Sequence, residues 1–475
     1  DTAAGRFAID AVTGIVIVVD GSLLNFEAET SHQITVRATS VDGSTRTSTM
    51  AIQVIDVNEN PIAILDSAIA RENGGSNNAT PGFNPSGNVL DNDTDIDEGD
   101  SKTVIGVDAG VQVSVAGFVG TSVTGAFGSI MIDDDGSFTY FVDNDNAMVQ
   151  ALASDADSLQ DIFSYTMRDA AGLTSTTQIT ITIIGANDSP VISASIGDSQ
   201  TSSLTETDSG LTTQGTLSVT DVDVTNTVTA VVSSLTTSGT TTGLLSDHTT
   251  LQSLLSINPN VIANDSSTGT ISWTFESSAE AFGYLAAGES LTLTYKITVT
   301  DSFGDIGNHE VAVTISGSND APTIIIGPSD SDTAHLLETS SPLVTTGSMT
   351  VSDIDASNIV TATVTGLAIN GNVAGLSSSA AEILAMFSVT QSIVDPGNQS
   401  GSLHWFFDSQ NEYFDYLLTA EELHLSYEIT VEDSYGMTAV RYAHIHISTD
   451  NQSPIAAGEV YTILPTERLI LTTHG

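Results

Sequence analysis

Oxygen-bearing side chains return along this chain at one interval. A glutamate recurs at Glu72, Glu206 and Glu338, and an Asp-x-Asp pair at Asp95 and Asp97, Asp221 and Asp223, Asp353 and Asp355. A lone aspartate precedes a glycine turn at Asp169, Asp301 and Asp433, and Asn187-Asp188 and Asn319-Asp320 stand in short proline-terminated junctions. Calcium is a hard cation that takes about six to eight oxygens from carboxylates, carboxamides and carbonyls, so Asp-x-Asp on a strand end or loop puts two carboxylates within reach of one ion. Repetition weighs against acid–base catalysis. A catalytic dyad is needed once, and here no carboxylate pair is unique to one copy.

The elements that must position these groups are repeated modules. The junctions end at Pro61, Pro190, Pro322 and Pro454, which stand 129, 132 and 132 residues apart. The last interval holds residue by residue: Trp273, Phe275, Tyr284, Tyr295 and Gly304 return as Trp405, Phe407, Tyr416, Tyr427 and Gly436. The preceding block is a more distant copy. The chain is thus expected to divide into 1–61, the C-terminal part of one module; 62–190, 191–322 and 323–454, three whole modules; and 455–475, the start of another or a tail. Both ends read as cut from a longer polypeptide.

Period-2 alternation dominates within each module. Leu291, Leu293, Tyr295, Ile297 and Val299 fall on one face of a strand with Thr and Lys on the other, the pattern of a half-buried antiparallel strand. An Asp-x-x-Gly turn follows at Asp169–Gly172, Asp301–Gly304 and Asp433–Gly436, so each module should end in a hairpin that leads into the next junction. The expected fold is all-β: a tandem array of Greek-key, cadherin- or immunoglobulin-like β-sandwiches set end to end. Short helical turns are expected over Ser246–Leu255, Ser378–Phe387, Ala279–Leu285 and Asn411–Leu417.

A formal charge of −50, from 59 acidic residues against 9 Lys and Arg, excludes nucleic acid and anionic membrane surfaces as partners and favours cations. With no cysteine, neither disulfides nor thiolate-bound zinc can stiffen the modules. No apolar run is long enough to cross a membrane as a helix.

Other motifs read more plainly as structure. Asp133-Asp-Asp135 precedes Gly136 in a turn. Trp273 and Trp405 read as packing rather than carbohydrate platforms. His444 and His446 alternate on one strand face, but their copies are Ala312 and Thr314 and the sequence shows no third ligand. Lys296 has Glu428 as its copy, which argues against a crosslink common to the modules. Nucleophile elbows and phosphate loops do not occur, and no enzymatic role is expected.

Residues 1–61 resemble the C-terminal part of a cadherin repeat, through Phe7-Ala-Ile-Asp10, Leu24-Asn-Phe-Glu27, His32–Thr39 and the junction Asp56-Val-Asn-Glu-Asn60. Residues 62–453 resemble the cadherin-like VCBS repeats of very large bacterial surface proteins, through Gly87–Asp97, Asp135-Gly-Ser-Phe-Thr-Tyr140, Phe163–Asp169 and the Asn-Asp-x-Pro junctions. The resemblance implies calcium clamped at the first boundary by Glu27, Asp56, Asn58, Glu59, Asn60, Asp95 and Asp97. Asn25 stands where the family has Asp, and Gly185, Gly317 and Gln452 replace acids at the later junctions, which implies fewer ions there.

The resemblance also implies a secreted protein of the bacterial cell surface. The expected function is a calcium-stiffened extracellular segment of an adhesin or surface fibre, a rigid spacer in adhesion and biofilm matrix. Its expected partners are calcium and neighbouring modules. The alternatives are a self-assembling filament subunit that pairs with other copies of itself, and a carbohydrate-binding module with a surface glycan as partner.

Overall fold

A computed structural model describes residues 3–207, 209–278 and 280–449; the junction around Pro454 with Gln452, and the segment 455–475, lie outside the described residues. Two β-ribbons open the chain. Phe7–Ile9 pairs with Val16–Val18, and Ser31–Thr39 with Thr45–Gln53, both antiparallel.

Three β-sandwiches follow. In the first, one sheet runs in the order Asp66–Arg71, Thr174–Ile184, Ser158–Arg168, Thr103–Ala109, and the other Ser86–Asn88, Ser137–Val142, Gly128–Ile132, Ser122–Thr124. In the second, the order Thr201–Thr205, Ile306–Ser316, Ser290–Asp301, Val228–Gly239, Asn260–Ile262 faces Val191–Ser193, Thr212–Thr220, Thr268–Glu276, Leu255–Ile257. The third repeats this topology, from Thr333–Leu337 and Thr438–Ser448 on one sheet to Ser400–Asp408 and Phe387–Val389 on the other.

Each sandwich closes through the expected C-terminal hairpin. Ser158–Arg168 pairs with Thr174–Ile184, Ser290–Asp301 with Ile306–Ser316, and Glu422–Glu432 with Thr438–Ser448. The glycines that end these turns have φ of 106°, 101° and 90° at Gly172, Gly304 and Gly436, a left-handed backbone that costs glycine least. One feature escaped the periodicity: the outer strands Asp66–Arg71, Thr201–Thr205 and Thr333–Leu337 run parallel to their hairpin partners. In the second sandwich the chain crosses between sheets just before this strand, since Val191–Ser193 lies on the opposite sheet. Alternation sets which face a strand buries, but strand direction depends on the crossover.

The cores lie between the sheets. Leu291, Leu293, Tyr295, Ile297 and Val299 are all fully buried, at roughly 1.5–3 kcal/mol for each large apolar side chain. Trp273 and Trp405 are buried too, and their indole N–H groups donate to the carbonyls of Ser199 at 2.9 Å and Ser331 at 2.8 Å. Opposite each indole stands a glycine, Gly215 or Gly347, where a Cβ would collide with the ring.

Two of the four expected helical turns form, as His248–Ser253 and Ala380–Ala385. The hydroxyls of Tyr295 and Tyr427 donate to the carbonyls of Leu251 and Ile383, each at 2.9 Å, and tie these helices to the sheet. The described part of 279–285 and the segment 411–417 are not helical. Phe282 and Phe414 take φ of 61° and 64° there and place their rings in the cores. Burial of a large ring outweighs the ~1–2 kcal/mol cost of that backbone.

Candidate metal centre

The aspartate of each hairpin turn serves two structures at once. Asp301 Oδ1 accepts the backbone N–H groups of Phe303, Gly304 and Asp305 at 2.8, 2.7 and 3.0 Å, so it builds the turn. Its Oδ2 accepts the side-chain amide of Asn187, from the junction, at 3.0 Å. Asp433 repeats this, with Oδ1 on Tyr435 and Met437 N–H and Oδ2 taking Asn319 at 2.8 Å. At the first boundary Asp169 holds Gly172 and Leu173 N–H and accepts Asn58 at 2.7 Å.

The Asp-x-Asp pairs meet the same junctions. Asp188 N–H donates to Asp223 Oδ2 at 2.6 Å, and Asp320 N–H to Asp355 Oδ2 at 2.9 Å. Glu59 N–H donates to Asp97 Oδ2 at 3.0 Å. Within each pair the second residue's N–H bonds the first carboxylate, as Asp97 to Asp95, Asp223 to Asp221 and Asp355 to Asp353. These Asx-type bonds hold both side chains on one side of the loop.

The recurrent glutamate comes from the preceding sandwich. Glu72 Oε1 accepts Ala186 N–H at 3.1 Å, and Glu206 Oε1 accepts Ser318 N–H at 3.0 Å. Both are buried at the end of their sandwich that faces the next. Glu338, their copy, is half-buried at the corresponding end of the third sandwich, and what would follow it lies outside the described residues.

At the first boundary, Glu27, Asp56, Glu59 and Asp97 each bring an oxygen within 4.8 Å of the others. Asp95, Asp97 and Asp100 form a second group that shares Asp97. Asn58 is tied to Asp169, whereas Asn60 is exposed. Asp100, absent from the sequence expectation, also accepts Ala170 N–H at 3.0 Å.

The later boundaries are more deeply enclosed. Asp188, Asp221, Asp223, Asp301, Asp353, Asp355 and Asp433 are all buried. Asp221 Oδ2, Asp223 Oδ1, Asp188 Oδ2 and Asp355 Oδ1 have no hydrogen-bond donor within the protein. A buried carboxylate oxygen without a donor costs several kcal/mol unless a cation answers it.

The electrostatics carry the same strain. Burial, reinforced by Asp188 and Asp223, pushes Glu72 up to about 8. Burial also takes Asp223 to about 8, with Asp221 and Asp188 adding repulsion. Asp355 reaches about 7, and Asp221 and Asp188 about 6, again chiefly by burial. Burial and the repulsion of neighbouring carboxylates make these groups resist ionisation, and an all-oxygen donor set of this kind fits a hard divalent cation.

Asn226 and Asn358 are the residues that sequence reasoning missed. Both are fully buried. Asn226 donates to Asn187 Oδ1 at 2.8 Å, and Asn358 to Asn319 Oδ1 at 3.2 Å and Asp355 Oδ2 at 3.0 Å. They orient the junction carboxamides, and the 132-residue interval between them is the signal that could have found them. Asp305, whose Oδ2 accepts Asn187 at 2.9 Å, was also missed.

The second and third sandwiches touch directly as well. Ala356 N–H donates to the Tyr284 carbonyl at 3.1 Å, and Tyr435 OH to the Ala287 carbonyl at 2.8 Å. Ala356 packs into the core of the second sandwich, and Ile354 lies against Gly283.

Fold and boundary clusters together define a string of cadherin-like β-sandwich modules with acidic junctions. Residues 58–185 match the family model of the bacterial cadherin-like domain. No curated protein matches the chain. Among solved structures it is similar to protocadherin gamma B2 extracellular cadherin domains 1–5, at 16% identity over 92% of this chain and 69% of that one, with a TM-score of 0.42. It is also similar to mouse protocadherin-24 EC1–3, at 17% identity over 66% and 87%, with a TM-score of 0.33.

Proposed function

We propose that the chain is a calcium-stiffened extracellular segment of a bacterial adhesin or surface fibre, a non-catalytic spacer in adhesion and biofilm matrix. The modules are assigned as 1–61, 62–190, 191–322 and 323–454. The observation that carries this reading is the set of buried carboxylate oxygens without protein donors at the boundaries, supplied by the junction and the following module, with a buried glutamate of the preceding module at the same boundary.

The proposed ligands at the second boundary are Glu72, Asn187, Asp188, Asp221, Asp223 and Asp301, and at the third Glu206, Asn319, Asp320, Asp353, Asp355 and Asp433. At the first they are Glu27, Asp56, Asn58, Glu59, Asn60, Asp95, Asp97 and Asp169, while Glu338 would serve the boundary beyond. An ion held by groups from two modules and their junction fixes the modules' relative orientation, which turns a string of beads into a rod. Extracellular calcium modules bind at about 10⁻⁴ to 10⁻³ M, so ~10 mM calcium stabilises the tighter sites by about 2.7 kcal/mol each.

Small-angle scattering with and without chelator tests this. The expected result is an extended particle in calcium that loosens when the ion is withdrawn; an unchanged profile refutes stiffening.

A filament subunit is the second reading. A groove of about 930 Å³ runs between Phe7–Ile9 and Ser31–Thr39, with Ile9, Ile15, Ile17 and Val18 exposed beside it, a surface on which a strand from another copy could pair. Electron microscopy in calcium separates the two, since ordered polymers favour a filament and isolated rods a spacer. The burial of Trp273 and Trp405 removes them as carbohydrate platforms.

A further inference from the structure

The third sandwich carries a row of histidines that the second lacks. His335 is paired with His446, and His446 with His424, in direct register on three adjacent strands. Inward-facing Leu423, Leu425, Ile445 and Ile447 are fully buried, so the alternating histidines lie on the outer face of this sheet. His424 Nδ1 and His446 Nδ1 are 2.6 Å apart, and the rings of His335 and His446 have centroids 4.8 Å apart. His444 is on the same face, with its ring centroid 6.4 Å from that of His446. Glu422 Oε2 lies 3.2 Å from His424 Nε2.

The same positions in the second sandwich are Ser203, Thr314 and Thr292, in the same register, with Ser290 at the place of Glu422. The sheet therefore folds without these histidines. One module has exchanged a hydroxyl row for an imidazole row, with a carboxylate beside it.

We propose that His335, His424 and His446, with Glu422 alongside, form a site for a borderline divalent transition metal of the zinc, copper or nickel class on the outer face of the third sandwich. Neutral imidazole suits these metals and is a poor ligand for calcium, which prefers oxygen. Three imidazoles and a carboxylate are of the donor types such ions accept; they stand in a row and do not converge on one point, so an ion gathers them by rotation of these surface side chains. The sequence hid this arrangement because its third ligand comes from a strand about a hundred residues away from His444 and His446. The strongly negative chain raises the local concentration of any cation, but only the imidazole row selects this class.

The test titrates the full chain with Zn²⁺ and Cu²⁺ in saturating calcium, which keeps the boundary carboxylates occupied. Calorimetry is expected to show one tight site per chain, and Cu²⁺ electron paramagnetic resonance to show coupling to more than one nitrogen. His446→Thr, which restores the residue of the second sandwich, should weaken binding at least about tenfold. His335→Ser, on the outer strand and exposed, should do the same even if the first variant folds poorly. The proposal is overturned if the parent chain shows no such site, if either folded variant binds as tightly as the parent, or if the copper spectrum shows oxygen ligands alone.

Discussion

Asn187 donates its side-chain amide to Asp301 Oδ2 at 3.0 Å, a contact between residues 114 positions apart. Asn319 and Asp433 repeat it at 2.8 Å and at the same separation. The aspartate that builds the last hairpin turn of a module thereby also grips the junction leading into that module. Turn, junction and boundary cluster are one polar network, so a change at any of them is felt by the others.

The pH dependence of stability seen in chelator should flatten in calcium. Glu72 and Asp223 titrate near 8 when folded, against ordinary values of 4.5 and 3.8. In chelator the folded chain therefore holds more protons than the unfolded one across that interval. Stability is then fullest below the ordinary carboxylate values, falls as pH rises to about 8, and levels off beyond. With calcium bound the ligands must be ionised, so the stabilisation by calcium grows with pH over the same window. Scanning calorimetry at about pH 5.5 and 8, in chelator and in calcium, reads both slopes; a chelated chain more stable at pH 8 contradicts the expectation.

Asp223→Asn separates charge from shape. Removing a buried, unbalanced carboxylate should leave stability in chelator unchanged or raised. In calcium the variant should bind the second boundary about tenfold more weakly or worse, a loss of about 1.4 kcal/mol. Isothermal titration of calcium into both proteins checks the second outcome, and thermal melts in chelator the first.

Asn226→Ala removes the amide that holds Asn187 and leaves the half-buried Asn187 Oδ1 without that donor. The expected cost is about 1–3 kcal/mol of stability in urea unfolding, together with weaker calcium binding at this boundary. An effect on stability alone would mean that Asn226 packs the loop without orienting a ligand.

Tyr435→Phe probes the direct contact between the second and third sandwiches. The copy of Tyr435 is Phe303, so the variant keeps the ring and deletes only the hydroxyl that reaches Ala287. The expected loss is about 0.5–1.5 kcal/mol at the boundary, seen as a wider spread of inter-module distances in spin-label measurements with the melting of the modules themselves unchanged.

Gly347→Ala should destabilise the third sandwich by about 1–3 kcal/mol, because the added methyl meets the Trp405 indole and the packed core cannot give way. Gly43→Ala, where a Cβ meets nothing within 4 Å but φ is 81°, carries only the backbone cost of about 1–2 kcal/mol. Urea unfolding followed by indole fluorescence, which reports the second and third sandwiches through Trp273 and Trp405, reads the first loss, and circular dichroism of the whole chain reads the second.

The amino-acid sequence by itself determined the repeat length, the all-β class, the hairpins behind Asp169, Asp301 and Asp433, the burial of the tryptophans and most of the carboxylates that meet at the junctions. Those features are written locally, in period-2 alternation, in Asp-x-x-Gly turns and in identity at a fixed interval. Tertiary structure decided what depends on groups far apart in the chain. The parallel outer strands follow from the crossover and not from alternation. Phe282 and Phe414 break an apparently helical spacing because each ring gains more from the core than the backbone loses. Asn226 looks like any polar loop residue until burial places it behind Asn187, and the imidazole row exists only in the register between three strands. Side-chain type and spacing specify which groups are available, whereas cross-strand register and module contact decide which of them meet, because both are set by packing over separations that no local pattern spans.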